Sequence, residues 1–199
     1  MVETKKKTEI SRSDILDLAA YDKVRAERRK AIGDVKAKRR VPVGPHATFY
    51  FESFDTMLYQ VQEMLRAERG GDEQLKEELA AYNPMIPKGS DLAATVMFEI
   101  ADPDVRHRFL SQLGGVEDRF FMEIGGERVE ARPERDVERT KADGKTSSVH
   151  FIHIELTPAQ IAKFKDKARV LVGVEHPHYG HVAILSDETR KELASDLAG

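Results

Sequence analysis

The stretch Phe120-Phe121-Met122-Glu123-Ile124-Gly125-Gly126-Glu127-Arg128-Val129-Glu130-Ala131 decides the fold class. Two strand-forming runs, residues 120–124 and 128–131, flank a Gly-Gly pair, and both glycines tolerate the positive φ that a tight hairpin demands. Working outward, residues 93–100, 149–156, 170–175 and 181–185 read as further strands, the last two joined by a tight turn. Residues 48–52 form another, with Phe49 and Phe51 on one face and Thr48, Tyr50 and Glu52 on the other. Helices lie between them. Ser53 or Asp55 caps the clearest, whose stripe runs through Phe54, Met57, Leu58, Val61, Met64 and Leu65 and ends before Gly70-Gly71. An acidic helix covers residues 72–82, Pro103 opens another, Thr157 caps one at Pro158, and Ser186 or Asp187 caps the last. Hairpins with interspersed helices predict an α+β fold: a mainly antiparallel sheet with packed helices and a helical N-terminal segment.

At the N-terminal end, Ser11 or Ser13 is expected to cap a short helix through Ile15, Leu16 and Leu18. A basic helix follows to about residue 39, and Val41-Pro42-Val43-Gly44-Pro45 stops it. Residues 133–143, highly charged, read as a surface helix or loop. The chain is expected to form one α+β domain over residues 8–199, with an internal sub-boundary at residues 83–90, where Asn83-Pro84 and Pro87-Lys88-Gly89 break the pattern.

Composition narrows the function classes. The 199 residues are 40% apolar and 34% charged, enough for a core and too apolar for a disordered chain. Cysteine is absent, which excludes disulfides, a Cys-ligated zinc or iron–sulfur site, and a thiol nucleophile. No apolar run approaches the length of a membrane span, and no signal peptide is visible, so a soluble, cytoplasmic protein with no membrane partner is expected. The net charge of −3 conceals an asymmetry: residues 1–40 carry 13 Lys/Arg against 7 Asp/Glu, and the rest 19 against 28. Tyr21, Val24, Ala31, Ile32 and Val35 recur at helical spacings, so the basic residues fall on a solvated face. No aromatic interleaves with them after Tyr21, which argues against nucleic acid as a partner.

Five of the seven histidines fall between positions 150 and 181. In His176-Pro177-His178-Tyr179-Gly180-His181, a four-residue loop over 177–180, with Gly180 in a left-handed or otherwise permissive conformation, would make His176 and His181 direct cross-strand neighbours able to share a metal ion. One of His150 and His153, which lie on opposite faces of their strand, would join them. A carboxylate would complete the shell: Glu68, on the apolar stripe of its helix, or Glu52. Glu63 points to the watery side of the same helix. Iron, zinc or haem are the groups such ligands would take. Several motifs are excluded. Gly180 stands where the metallo-β-lactamase string needs Asp; Val182 and Ala183 stand where a cupin needs Glu. Asp143-Gly144-Lys145-Thr146 lacks the first glycine and the following helix of a phosphate-binding loop.

Ile10-Ser11-Arg12-Ser13-Asp14-Ile15-Leu16, Ala47-Thr48-Phe49-Tyr50-Phe51-Glu52, Gln62-Glu63-Met64-Leu65, Tyr82-Asn83-Pro84, Asp143-Gly144-Lys145-Thr146-Ser147-Ser148 and the His176–His181 turn together resemble an uncharacterised bacterial family, a domain of unknown function. The resemblance spans about residues 8–197 and brings no established activity or catalytic residues. It implies genes beside rubrerythrin-like di-iron proteins and heterodisulfide-reductase-like iron–sulfur proteins. The function expected from histidines and resemblance together is a metal- or haem-associated role in redox, iron or peroxide metabolism. The alternative is a non-catalytic partner or assembly subunit of neighbouring redox proteins, docking through its basic N-terminal segment or through Phe49, Tyr50, Phe51, Phe54 and Tyr59.

Overall fold

Alternation along each strand sorts the chain into layers. The computed structural model describes residues 7–134, 139–142 and 144–198. Nine strands, β1 (Arg40–Val43), β2 (Ala47–Phe51), β3 (Asp91–Phe98), β4 (Phe120–Ile124), β5 (Glu127–Glu130), β6 (Arg132–Pro133), β7 (Val149–Glu155), β8 (Val170–His176) and β9 (Tyr179–Ile184), form two antiparallel sheets. One has the order β1-β2-β3-β7-β6 and the other β5-β4-β8-β9. The helices are α1 (Leu18–Lys38), α2 (Phe54–Glu68), α3 (Gly71–Tyr82), α4 (Pro103–Leu110), α5 (Pro158–Lys165) and α6 (Asp187–Ala194). The fold is α+β on mainly antiparallel sheets.

Phe49 and Phe51 of β2, Leu92, Ala94, Val96 and Phe98 of β3, and Ile152 and Ile154 of β7 point inward. There they meet Phe120, Met122 and Ile124 of β4 and Val170, Val172 and Val174 of β8, closing a sandwich core. The opposite face of the five-stranded sheet carries a second core. Met57, Val61 and Leu65 of α2 and Leu75 of α3 pack there with Ile10, Ile15, Met85, Ile86 and Ala93. The stripe read for α2 is thus the one that docks, and Ser53 caps it by accepting from the Thr56 amide. β3, immediately after residues 83–90, pairs with β2 on one side and β7 on the other.

Three local expectations change. The short N-terminal helix is a single 3₁₀ turn, Arg12–Asp14, with Ser11 at its N-cap, and α1 begins separately, capped by Asp17. Residues 40–43 are a strand, because Pro42 sits in β1, an edge strand where a missing N–H is tolerated. The β8–β9 hairpin turns in two residues, not four: His176 pairs with Tyr179 and His181 with Val174, while Gly180, with no positive φ, lies inside β9 opposite Glu175. Of the charged stretch 133–143, Pro133 belongs to β6, and residues 135–138 and 143 lie outside the described residues. No helix among the described residues is long and apolar enough to cross a membrane.

Candidate functional site

The two-residue turn separates the histidines that the sequence brings together. His176 accepts from the His178 amide through Nδ1 (3.2 Å), and its Nε2 lies 3.3 Å from the Gly114 carbonyl. His181 instead lies against the Tyr179 ring, centroids 4.5 Å apart, over Gly44. His150 is the inward histidine of β7. It is fully buried between the sheets beside Phe98 and Phe120, with Nε2 2.8 Å from the Ser147 carbonyl and Nδ1 without a partner. Burial lowers its pKa to about 4, so the ring is neutral. His153 faces the other way, its Nε2 2.9 Å from Glu134 and its Nδ1 4.0 Å from Asp91. Glu68 is exposed and accepts from the Gln74 amide, because the apolar stripe leaves the core in the last turn of α2. Among the described residues, no group of three or more His, Asp or Glu is arranged to hold a metal ion.

Glu52 has a different setting. It follows β2 on the sheet's outer face, where the N-terminal turn of α2 leans over it, and is 8% exposed. Its Oε2 accepts from the Thr56 hydroxyl at 2.6 Å and its Oε1 from the Thr95 hydroxyl at 2.7 Å. No lysine, arginine or histidine among the described residues forms an ion pair with it. The carboxylate lines a cavity of about 410 Å³ between the sheet and the helices. Tyr50, Thr95, Met97, Val149 and Phe151 form the sheet side; Met57 and Gln60 of α2, Tyr82, Met85, and Lys36 and Arg39 at the end of α1 form the rest. Burial pushes the Tyr82 phenol up.

Of the other polar groups around the cavity, Arg39 and Tyr50 are committed. Arg39 is 2% exposed and reaches Glu192 (3.0 Å), Asp196 (2.7 Å) and the Glu52 carbonyl (3.1 Å). The Tyr50 hydroxyl donates to Glu99, which also accepts from Thr48. Lys36 extends over the Tyr59 ring. A larger cleft of about 860 Å³ runs between the N-terminus of α2 and the C-terminal tail, but its cations are spent internally: Lys7 on Asp14, Lys88 on the Thr8 and Asn83 carbonyls, and Arg39 on α6 and the tail. Chemistry, not size, therefore singles out the Glu52 cavity.

Sequence reasoning named Glu52 but missed Thr56, Thr95, Lys36 and Tyr82 around it. The alternation of 48–52 put Glu52 beside Tyr50, and Thr56 lies one helical turn beyond it; nothing in the sequence brings Thr95 or Lys36 across the fold. Glu63, read as solvent-facing, instead clamps α1: Arg25 binds it at 2.8 Å through two bonds and the Tyr21 hydroxyl donates at 2.7 Å, which hold its carboxyl down at about 2.

Residues 9–197 match the family described as "Protein of unknown function (DUF3501)". This chain belongs to that family. A crystal structure of a novel protein of unknown function from Burkholderia pseudomallei is similar, at 38% identity and a TM-score of 0.88 over 95% of this chain and 99% of that one. No curated protein matches. The shared fold brings no activity with it.

Proposed function

We propose that this DUF3501 member is a binding protein for a small amphipathic organic cation, with Glu52 as the anchor. One observation carries the reading: a buried carboxylate, held by two neutral hydroxyls and by no cation among the described residues, opens onto an aromatic and thioether-lined cavity. Burying an ionised carboxylate is costly unless it is paired. The N-terminus of α2, which begins two residues later, offsets part of that charge. An ammonium entering the cavity would supply the rest, and the Tyr82 ring in its lining favours a cation through its quadrupole, whereas Phe151 already carries the Arg139 guanidinium 4.9 Å from its ring centre.

The test is a titration of the full chain with primary and quaternary amines, followed by thermal shift and methyl NMR of Met57, Met85 and Met97. Amines are expected to perturb those methyls and raise the melting temperature, and Glu52→Gln to remove both effects. Binding that is indifferent to Glu52→Gln, or no binding by any amine, overturns the reading and leaves Glu52 as a fastener between α2 and β3.

The metal expectation has one supporting contact, at His153. Its imidazole lies between Glu134 and Asp91 in an open polar cleft of about 650 Å³ that also holds Glu155. Nitrogen and carboxylate donors suit iron or zinc, although the two carboxylates approach different ring nitrogens, so one ion would require these side chains to regroup. Elemental analysis of protein purified without a nickel column is expected to find metal that His153→Ala loses; metal-free protein that takes up neither iron nor zinc removes this second reading. The haem, redox and peroxide roles rest on the histidines and the resemblance together, and the alternative of a subunit docking on redox partners on the basic N-terminal segment and the aromatics. Of the aromatics offered as a docking anchor, Phe49 and Phe51 are core residues.

A further inference from the structure

Lys36 shares the Glu52 cavity, and its charge is as unmatched as that of Glu52. It is half-buried in the last turn of α1, and its ammonium lies 5.4 Å from the centre of the Tyr59 ring. No carboxylate among the described residues pairs with it. One cavity thus holds a carboxylate without a cation and an ammonium without an anion, and the two do not pair with each other. In a protein with 32 basic and 35 acidic residues, opposite charges that share a cavity ordinarily meet. Here the sheet fixes one and α1 the other. Thr95 of β3 and Thr56 of α2 grip Glu52 from two sides, and α1 is itself clamped to α2 through Glu63. Met57, Met85, Met97, Val149 and Phe151 supply an apolar part of the same lining.

From this juxtaposition we infer that the ligand is a zwitterion, with its ammonium on Glu52, an acidic group on Lys36 and an apolar body against the methionines and Phe151. This deepens the Glu52 reading and rests on it. Arg39 also lines the cavity, but its guanidinium is saturated by Glu192, Asp196 and the Glu52 carbonyl, which leaves Lys36 as the group that reads the acid. A cavity of about 410 Å³ lies towards the small end of ligand sites, so the class is amino-acid-like rather than nucleotide-sized.

Matched probes separate the two charges. Phenylalanine, phenethylamine and phenylpropionate share one body and carry both charges, the ammonium alone and the acid alone; leucine, isoamylamine and isocaproate form a second such set. Para-aminomethylbenzoate, benzylamine and para-toluate form a third, with the charges further apart. Each is titrated into the full chain by calorimetry, with the methionine methyl signals reporting the place of binding independently of any variant. In at least one set the zwitterion is expected to bind about tenfold tighter than its amine, the ratio that one added ion pair of about 1.4 kcal/mol supplies. Lys36→Met should erase that ratio without weakening amine binding, because the ammonium it removes repels a cation. Beyond its approach to the Tyr59 ring, the Lys36 side chain makes no hydrogen bond or ion pair among the described residues, so the variant is expected to remain folded. Amines that bind through Glu52 as tightly as their zwitterions, or a ratio that survives Lys36→Met, overturn the zwitterion and spare the Glu52 reading. Failure of every amine and zwitterion to bind overturns both.

Discussion

At the scale of single residues, buried polar groups dominate what can be measured. Folded His150 stays neutral down to about pH 4, whereas in the unfolded chain it takes a proton near 6.5. Between those values the unfolded state binds more protons, so this group's contribution is complete above pH 6.5 and is lost as pH falls towards 4. The full loss is on the order of 3 kcal/mol by linkage. Urea midpoints measured from pH 7 to 4 should fall in the wild type, and more shallowly in His150→Leu, which starts from lower stability because the Ser147 carbonyl loses its donor; equal slopes would show that His150 does not titrate this way. Gly173 gives a second prediction. A Cβ there would meet the Phe121 ring at 2.5 Å and Val182 at 2.9 Å, so Gly173→Ala should cost about 1–3 kcal/mol through overpacking between adjacent strands.

At the scale of elements, one hydroxyl ties two hairpins together. Tyr179, in β9, donates to the Val43 carbonyl at 2.6 Å and accepts from the His46 and Ala47 amides at 3.0 and 2.9 Å. Its OH thus satisfies the turn between β1 and β2, and the ring packs on Phe98 and Phe109. Tyr179→Phe keeps the packing and orphans three backbone groups. It should destabilise by on the order of 3 kcal/mol, and hydrogen exchange should quicken first at residues 43–47. The same residue explains why the histidine hairpin departs from the four-residue loop that its sequence predicts. Pro177 and Gly180 are both turn residues, and a loop bounded by them seemed complete in sequence. What sets the register is the need to bury the Tyr179 ring, which draws Tyr179 and Gly180 into the strand and moves His181 opposite Val174. Strand identity was legible because alternation is local; register was not, because Tyr179 is fastened by residues more than a hundred positions away.

At the scale of the whole molecule, the chain's beginning and end are joined through Arg39. The guanidinium, at the end of α1, pairs with Glu192 in α6 and with Asp196 beyond it, and supports the wall of the Glu52 cavity through the Glu52 carbonyl. Arg39→Met should cost about 3–5 kcal/mol, because Asp196 is left buried beside no guanidinium. Loss of amine binding in the same variant, at temperatures where it remains folded, would mark this junction as part of the cavity's frame; unchanged stability would show that the ion pairs are solvated and weak. The basic N-terminal segment that the charge count isolates is partly used inside the molecule in this way, on Glu63, Glu192 and Asp196.

The sequence by itself determined the class and most of the parts. Residues 120–131 specify an antiparallel hairpin, α2 announces its cap and its buried stripe, and the absence of cysteine closes several kinds of chemistry, all because propensity, capping and alternation act over a few residues. Even the choice between His150 and His153 was set up locally, since neighbours three apart in a strand must face opposite ways. Only the tertiary structure decided that His150 is the inward one and that His176 and His181 part company. It also decided that the carboxylate worth following is Glu52. Thr95, Lys36 and Phe151 reach it from a strand 43 residues later, a helix 16 residues earlier and a strand 99 residues later. A site assembled from elements so far apart along the chain leaves no periodic trace, because what joins them is the burial of two cores on opposite faces of one sheet.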